Sequence, residues 1–329
     1  MLQAPNRAVF FNMLRSSFSN FGCCWAWRAG ACLIISILAS AIGAPIGAAE
    51  ADGPELLAQY QSTSVASAYG AVSSVRFSTG VVELQPKVLA YSPPGTMREL
   101  RFSENVWVVG YQTSISDESG KPLTENYICH TMFCDQRAVQ RQDQRMRALY
   151  SDGFTRGFSL PEGYAVPFSR LDNVHFMPMF NNRADHPQRV QMQIDVLLIR
   201  EKDLRKPLEP LYATLRSVQI PHLYFVPPKR HEQDITFELP FEGHIHFIGT
   251  HIHPHAESMT LFDVSHGKEV WCGKSVQRPG DLDTMGVYSS VTGYAVHPGD
   301  VFRLSSVYNN PTAGKIDAMA ALFLFYSEN

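Results

Sequence analysis

Val190-Gln-Met-Gln-Ile-Asp-Val-Leu-Leu-Ile199 places apolar side chains at every second position, with Gln and Asp between them. Successive side chains of a strand point to opposite faces, so this period of two predicts a strand with one face in a core. Working outward, shorter runs of the same kind recur. They are Val106-Trp-Val-Val-Gly-Tyr111, His244-Ile-His-Phe-Ile248, Met259-Thr-Leu-Phe262, Val301-Phe-Arg-Leu304 and the apolar stretch from Ala320 to Tyr326. Turn residues separate them at Ser92-Pro-Pro-Gly95, Glu118-Ser-Gly-Lys121, Leu160-Pro-Glu-Gly163, Pro227-Pro228, Pro279-Gly280 and Pro298-Gly-Asp300. Many short strands with frequent turns predict an all-β protein of sandwich or barrel domains. Twenty Phe and thirteen Tyr point the same way.

Composition bounds the rest. The 329 residues suit two ordinary domains, and 45% hydrophobic against 18% charged residues is a packed globular balance rather than a disordered one. Nothing in a net charge of -3 suggests a protein held to nucleic acid by phosphate neutralisation, and no nucleic-acid partner is expected. The polar segment Arg200-Glu-Lys-Asp-Leu-Arg-Lys-Pro-Leu208 separates two strand-rich halves, read as domains 70–199 and 209–329 with a linker at 200–208. Two stretches read as helical: Glu55 to Ser64, and Gln136 to Tyr150, where Arg137, Arg141 and Arg145 recur at four-residue spacing as a solvated face.

Residues 1–49 read as a secretory signal. Arg7, Arg15 and Arg28 are the charged residues before Glu50, the apolar run Ala31–Ile42 follows, and Gly43-Ala-Pro-Ile-Gly-Ala-Ala49 is a small-residue cleavage zone. The apolar run is short for a membrane span of ~20 residues. The expectation is a secreted or periplasmic protein with no stable membrane association after cleavage, preceded by an N-terminal extension at 50–69. Cleavage leaves Cys129, Cys134 and Cys272. Three is an odd number, and bridges between Cys129 and Cys134 or between Cys134 and Cys272 are both open.

Histidines carry the chemistry. Five of the twelve lie within Gly243-His-Ile-His-Phe-Ile-Gly-Thr-His-Ile-His-Pro-His255. On a strand, His251 and His253 share a face about 7 Å apart along the backbone and can converge on one metal. Imidazole suits Zn, Cu, Fe or Ni. His244 and His246 form a second such pair. One reading is cupin-like: His251-x-His253 followed by Glu257, with Pro298-Gly-Asp300 as a second motif that lacks the His expected after it.

A second reading uses more of the chain. His251-x-His253, Val296-His-Pro-Gly-Asp300, Val307-Tyr-Asn-Asn310 and the run from Asp317 to Tyr326 resemble the C-terminal domain of the copper type II, ascorbate-dependent monooxygenases. That family includes peptidylglycine alpha-hydroxylating monooxygenase and dopamine beta-monooxygenase. Met319 stands where the family places a Met ligand beside the two His, and a thioether beside two imidazoles favours Cu(I). In the first half, Tyr127-Ile-Cys129-His130-Thr-Met-Phe-Cys134, Leu160-Pro-Glu-Gly163 and Val174-His175-Phe176 resemble the family's electron-transfer copper strands. The resemblance covers most of residues 100–329. It implies two antiparallel jelly-roll sandwiches, a copper in each and a solvent cleft between them. It also implies up to two coppers per chain, held by His251, His253 and Met319 and by His130, His175 and Cys129. O2, a small or apolar substrate and a reductant such as ascorbate complete the implied reaction. The sequence departs from the pattern at Cys129, where the family has His, and at Gly249, Ala321 and Phe323, which replace the family's substrate-carboxylate clamp. A non-catalytic copper-binding protein of the same fold is therefore the alternative.

Overall fold

A computed structural model describes residues 56–135, 145–152, 157–219, 222–278 and 281–329. The expected signal at 1–49, Arg137 and Arg141 lie outside them. The described chain is strand throughout, with one turn of 3-10 helix at Glu125–Tyr127, and no helix among the described residues is long and apolar enough to cross a membrane.

Two jelly-roll sandwiches account for this. In the first, the main strands are Gly70–Leu84, Arg98–Arg101, Val106–Asp117, Ile128–Asp135, Ala148–Asp152, Tyr164–Phe168, Val174–Asn182 and Gln188–Leu204. The first pairs with the last, which pairs with 106–117, which pairs with 164–168; the facing sheet runs 98–101, 174–182, 128–135, 148–152. The second sandwich repeats the plan. Tyr212–Ser217 pairs with the closing strand Ala320–Glu328, followed by Gly243–Ile252 and Tyr288–Val296. Facing it are Lys229–Glu238, Val301–Asn310, Ala256–Asp263 and Lys268–Arg278. Pairings are antiparallel apart from short parallel contacts at Leu56–Leu57 and Glu209–Pro210.

The alternation that predicts strand 188–204 is its burial pattern. Val190, Met192, Ile194, Val196 and Leu198 face the first core, each no more than 1% exposed. Burying each such side chain contributes about 1.5–3 kcal/mol.

Three expectations are corrected. The segment 200–208 is not a free linker. Strand 188–204 runs through Arg200–Leu204, Leu208 is buried, and Glu209–Pro210 still pairs with the first domain. The charges read as a linker are a polar strand end tied by Arg200–Asp203 and Lys202–Glu104 ion pairs. Leu211 still bonds Ala165 of the first sandwich, and the second begins with Tyr212. The helix expected from Gln136 to Tyr150 ends as strand, since Ala148–Asp152 pairs with 128–135. Leu56–Leu57 and Gln61–Ser62 are likewise strand, because sheet edges at 98–101 and 70–84 satisfy their backbones better than an isolated weak helix could.

Where a solvent cleft is expected between the domains, aromatic rings fill much of the seam. Tyr150 stacks on Phe323 at 3.6 Å, and Phe158 lies 4.6 Å from Phe247 and 5.4 Å from Phe325. Phe247, Phe323 and Phe325 join the first domain's core cluster.

Candidate metal centre

His251 is the next-to-last residue of strand Gly243–Ile252, and His253 lies just beyond it. Their rings meet edge to face with centroids 5.2 Å apart, and they are 3% and 2% exposed. Met319 sits between strands Ile316–Ala318 and Ala320–Glu328, and its Sδ is 3.0 Å from His251 Nε2. One hydroxyl fixes these backbones together. Tyr308 OH accepts from the His253 N–H at 3.0 Å and donates to the Met319 carbonyl.

Carboxylates stand behind both imidazoles. His253 Nδ1 donates to Asp317 Oδ2 at 2.7 Å, and His251 Nδ1 lies 3.4 Å from Asp152 Oδ2. With Nδ1–H held, the His253 lone pair resides on Nε2, which is buried and has no hydrogen-bond partner. This is the carboxylate–histidine arrangement that orients metal ligands. Arg183, from the first domain, grips Asp317 with two bonds of 3.1 and 2.9 Å. Burial pushes the His253 pKa down to about 4, against the pull of Asp317. Burial also works against ionisation of Asp317, yet the hydrogen bonds from His253 and Arg183 hold its carboxyl far below the usual range.

The first domain brings Cys129 and His130. In strand 128–135, Met179 pairs with His130 and Phe180 pairs with Ile128, so Cys129 is the extra residue of a β-bulge. A bulge bends the strand and re-aims a side chain. Adjacent residues, which would face opposite ways, here approach each other: Cys129 Sγ is 3.4 Å from His130 Nδ1. Cys129 Sγ and one ring nitrogen each of His251 and His253 lie within 4.8 Å of one another. His130 stacks on Tyr150 at 5.5 Å and meets His251 edge to face at 5.0 Å. Burial lowers the His130 pKa well below its ordinary value, with His251, His253 and His222 adding repulsion. Burial pushes the Cys129 thiol up to about 12.

The expected ligand set of the first domain is not assembled. His175 lies directly across from Cys134, while His130 lies across from Met179, four residues along the same strand. That is about 13 Å of extended chain, too far for one metal. His175 Nε2 instead meets Asn173 Oδ1 at 3.2 Å. Cys129 turns to His251 and His253. The three cysteines are free thiols. Cys129 and Cys134 are five residues apart on one strand, about 16 Å, far beyond disulfide reach.

Two other readings are also corrected. His246 uses both ring nitrogens, on Ser290 O and Ser327 Oγ at 3.0 Å each, and its ring packs 3.9 Å from Tyr164. It is a satisfied core histidine. The cupin candidate Glu257 is exposed and bonds Asn309 Nδ2 at 3.0 Å, outside the buried cluster.

Sequence reading missed His222, Asp152 and Arg183. His222 is 8% exposed and follows Pro221 in no repeating pattern. Asp152 and Arg183 act through ring nitrogens and carboxylates more than 90 residues away, a relation with no spacing signal.

A cavity of about 10 Å³ at the centre is lined by Asn126, Cys129, Asn181, Arg183, His251 and His253, among others. A polar hollow of about 160 Å³, lined by Thr124, Asn126, Tyr127, Arg183 and Ala184, adjoins it through Asn126 and Arg183. A larger hollow of about 640 Å³, beside Tyr69 and Tyr164, touches none of the candidate ligands.

No family model matches the sequence, and no curated protein matches it. Among solved structures the chain is similar to the major capsid protein P2 of bacteriophage PM2, at 10% identity over 76% of this chain and 98% of that one, with a TM-score of 0.34. N-glycanase F (PNGase F) is similar at 10% identity over 76% and 96%, with a TM-score of 0.39. The STIV MCP is similar at 8% identity over 75% and 97%, with a TM-score of 0.36. Similarity at this level carries no argument about function.

Proposed function

We propose that this is an exported copper-binding redox protein holding one copper per chain on His251, His253 and Met319. The observation that carries the reading is His253 Nε2: buried, without a partner, its Nδ1–H held by Asp317, beside a His251 Nε2 that faces Met319 Sδ. A deprotonated imidazole nitrogen left unbonded in a core costs about 1–3 kcal/mol unless something occupies it. Two imidazoles and a thioether are a donor set suited to copper. Bound copper would supply one-electron Cu(II)/Cu(I) chemistry. The chain's own residues hold the geometry: Asp317 orients the His253 ring, Arg183 steadies Asp317, and Tyr308 locks the backbones of His253 and Met319 together.

Purified mature protein should bind one copper, with sulfur scattering in the Cu(I) X-ray absorption spectrum that weakens in Met319→Leu. Unaltered sulfur scattering in a Cys129→Ser, Met319→Leu double variant would remove Met319 from the site. N-terminal sequencing tests export, with a mature start between Gly47 and Asp52 expected.

A second reading is the monooxygenase, hydroxylating a small substrate with O2 and a reductant such as ascorbate. The hollow of about 160 Å³ that shares Asn126 and Arg183 with the centre's lining favours it, as a place where a small molecule could sit beside the centre. Hydroxylation needs two electrons and one copper supplies one, and His130 and His175 are too far apart to hold a second. Ascorbate-dependent, peroxide-free O2 consumption coupled to substrate would establish this reading over simple copper binding.

A further inference from the structure

We propose that Cys129 is the fourth ligand, a thiolate supplied by the first domain to the two histidines and methionine of the second. The centre is then one Cys–His–His–Met copper site shared across the domain seam. The inference rests on the copper reading above and goes beyond it in naming both the donor and the class of site.

The geometry comes first. Ligands of one copper or zinc-like ion sit about 2.0–2.3 Å from it, so any two lie within roughly 4.6 Å of each other. The Sγ of Cys129 and one ring nitrogen each of His251 and His253 meet that condition within a few tenths of an ångström, at mutual distances inside 4.8 Å. Three donor atoms from two sandwiches thus converge where the cavity at the centre also lies.

Local structure shows that the convergence is built. The bulge at Cys129 is what turns its side chain toward the seam, and without the extra residue Cys129 and His130 would face opposite sides of their sheet. Cys129 is 2% exposed, is in no disulfide, and approaches His130 Nδ1 at 3.4 Å. A protonated His130 Nδ1 can donate to the sulfur, which makes His130 a positioning residue for a thiolate. In the second domain, the buried and partnerless Nε2 of His253 independently marks a place for a ligand.

Donor chemistry then selects the class. Two imidazoles with a thiolate and a weak thioether are the donors of copper electron-transfer sites. A tetrahedral zinc site takes Cys and His but has no use for a thioether. Binding Cu(II) breaks the Cys129 S–H bond, forms a Cu–S bond and releases one proton to solvent, with no change in electron count. Because Cys129 comes from the first sandwich and His251, His253 and Met319 from the second, copper would also tie the two domains together.

The test loads the full mature protein with Cu(II) and measures copper content and the visible spectrum on one sample. One copper per chain with an intense thiolate charge-transfer band is expected. Cys129→Ser should lose the band while retaining the copper, with affinity lowered by more than the roughly 10-fold of an outer-shell change. Cys134→Ser and Cys272→Ser should keep it. Wild-type protein that holds one copper but lacks the band overturns the Cys129 assignment and leaves the His251–His253–Met319 site standing. A band that survives in Cys129→Ser overturns it too. Failure to bind copper at all overturns both readings. The wild-type spectrum decides the matter even if Cys129→Ser does not fold.

Discussion

Replacing Asp317 with Asn removes one charge and almost no volume, and it strikes the contact that orients His253 in the proposed metal site. Asp317 Oδ2 accepts from His253 Nδ1 at 2.7 Å, a length typical of charge-assisted bonds. Its side chain is 14% exposed, so solvent screens it little. In Asp317→Asn, an amide N–H2 turned toward His253 would force the imidazole proton onto Nε2 and remove the lone pair that the proposed site offers to copper. An amide oxygen turned the same way keeps the tautomer but weakens the ring as a ligand. Loss of such an outer-shell carboxylate costs about 10–100-fold in metal affinity, or about 1.4–2.8 kcal/mol. Arg183→Gln should cost less, because Arg183 acts through Asp317 and its side chain is 39% exposed. The assay is competition for Cu(I) against a chromogenic chelator at pH 7, with circular dichroism confirming that each variant is folded. Folded Asp317→Asn protein with unchanged Cu(I) affinity would refute the assignment of Nε2 as the His253 ligand atom.

Further outcomes follow from the same geometry. Burial holds His253 down at about 4 and lowers His130, so in the metal-free fold both are neutral where the unfolded chain is protonated. Stability should be fully present above the ordinary histidine pKa of about 6.5 and fall as pH drops toward 4, by up to about 1.4 kcal/mol per pH unit per group. Urea unfolding across that window reads it, and a flat profile would contradict the burial of these rings. Phe323→Ala removes the stack on Tyr150 at 3.6 Å and should cost about 3–5 kcal/mol in denaturant unfolding. A loss under about 1 kcal/mol would mean that the seam is not packed. His175→Ala should leave Cu(I) affinity within about twofold while His251→Ala abolishes tight binding, since only the latter ring faces Met319. Equal losses from both would restore a shared role for His175.

Strand alternation is a local property, and so the all-β fold is legible from Val190–Ile199 and its shorter relatives. The jelly-roll plan followed from the resemblance, and the strand order of both sandwiches agrees with it. His251-x-His253 is legible for the same reason: a period of two puts both rings on one face whatever the rest of the chain does. The approach of Met319 was implied by the resemblance, and the structure places its sulfur against His251. What the sequence could not determine are the relations set by register and domain docking. Whether His175 meets His130 or Cys134 depends on how two strands forty residues apart slide past each other, and a shift of four residues moves a ligand by about 13 Å. One bulge, at Cys129, reverses the face of a single side chain, and no composition marks it. Polar residues at 200–204 look alike on a strand end and in a linker, so only their pairing distinguishes the two. Asp152, Arg183 and His222 reach the centre through the packing of one sandwich on the other. That packing is driven by aromatic burial at Tyr150, Phe158, Phe247, Phe323 and Phe325, a non-directional force that fixes which faces meet only when both sheets are already formed.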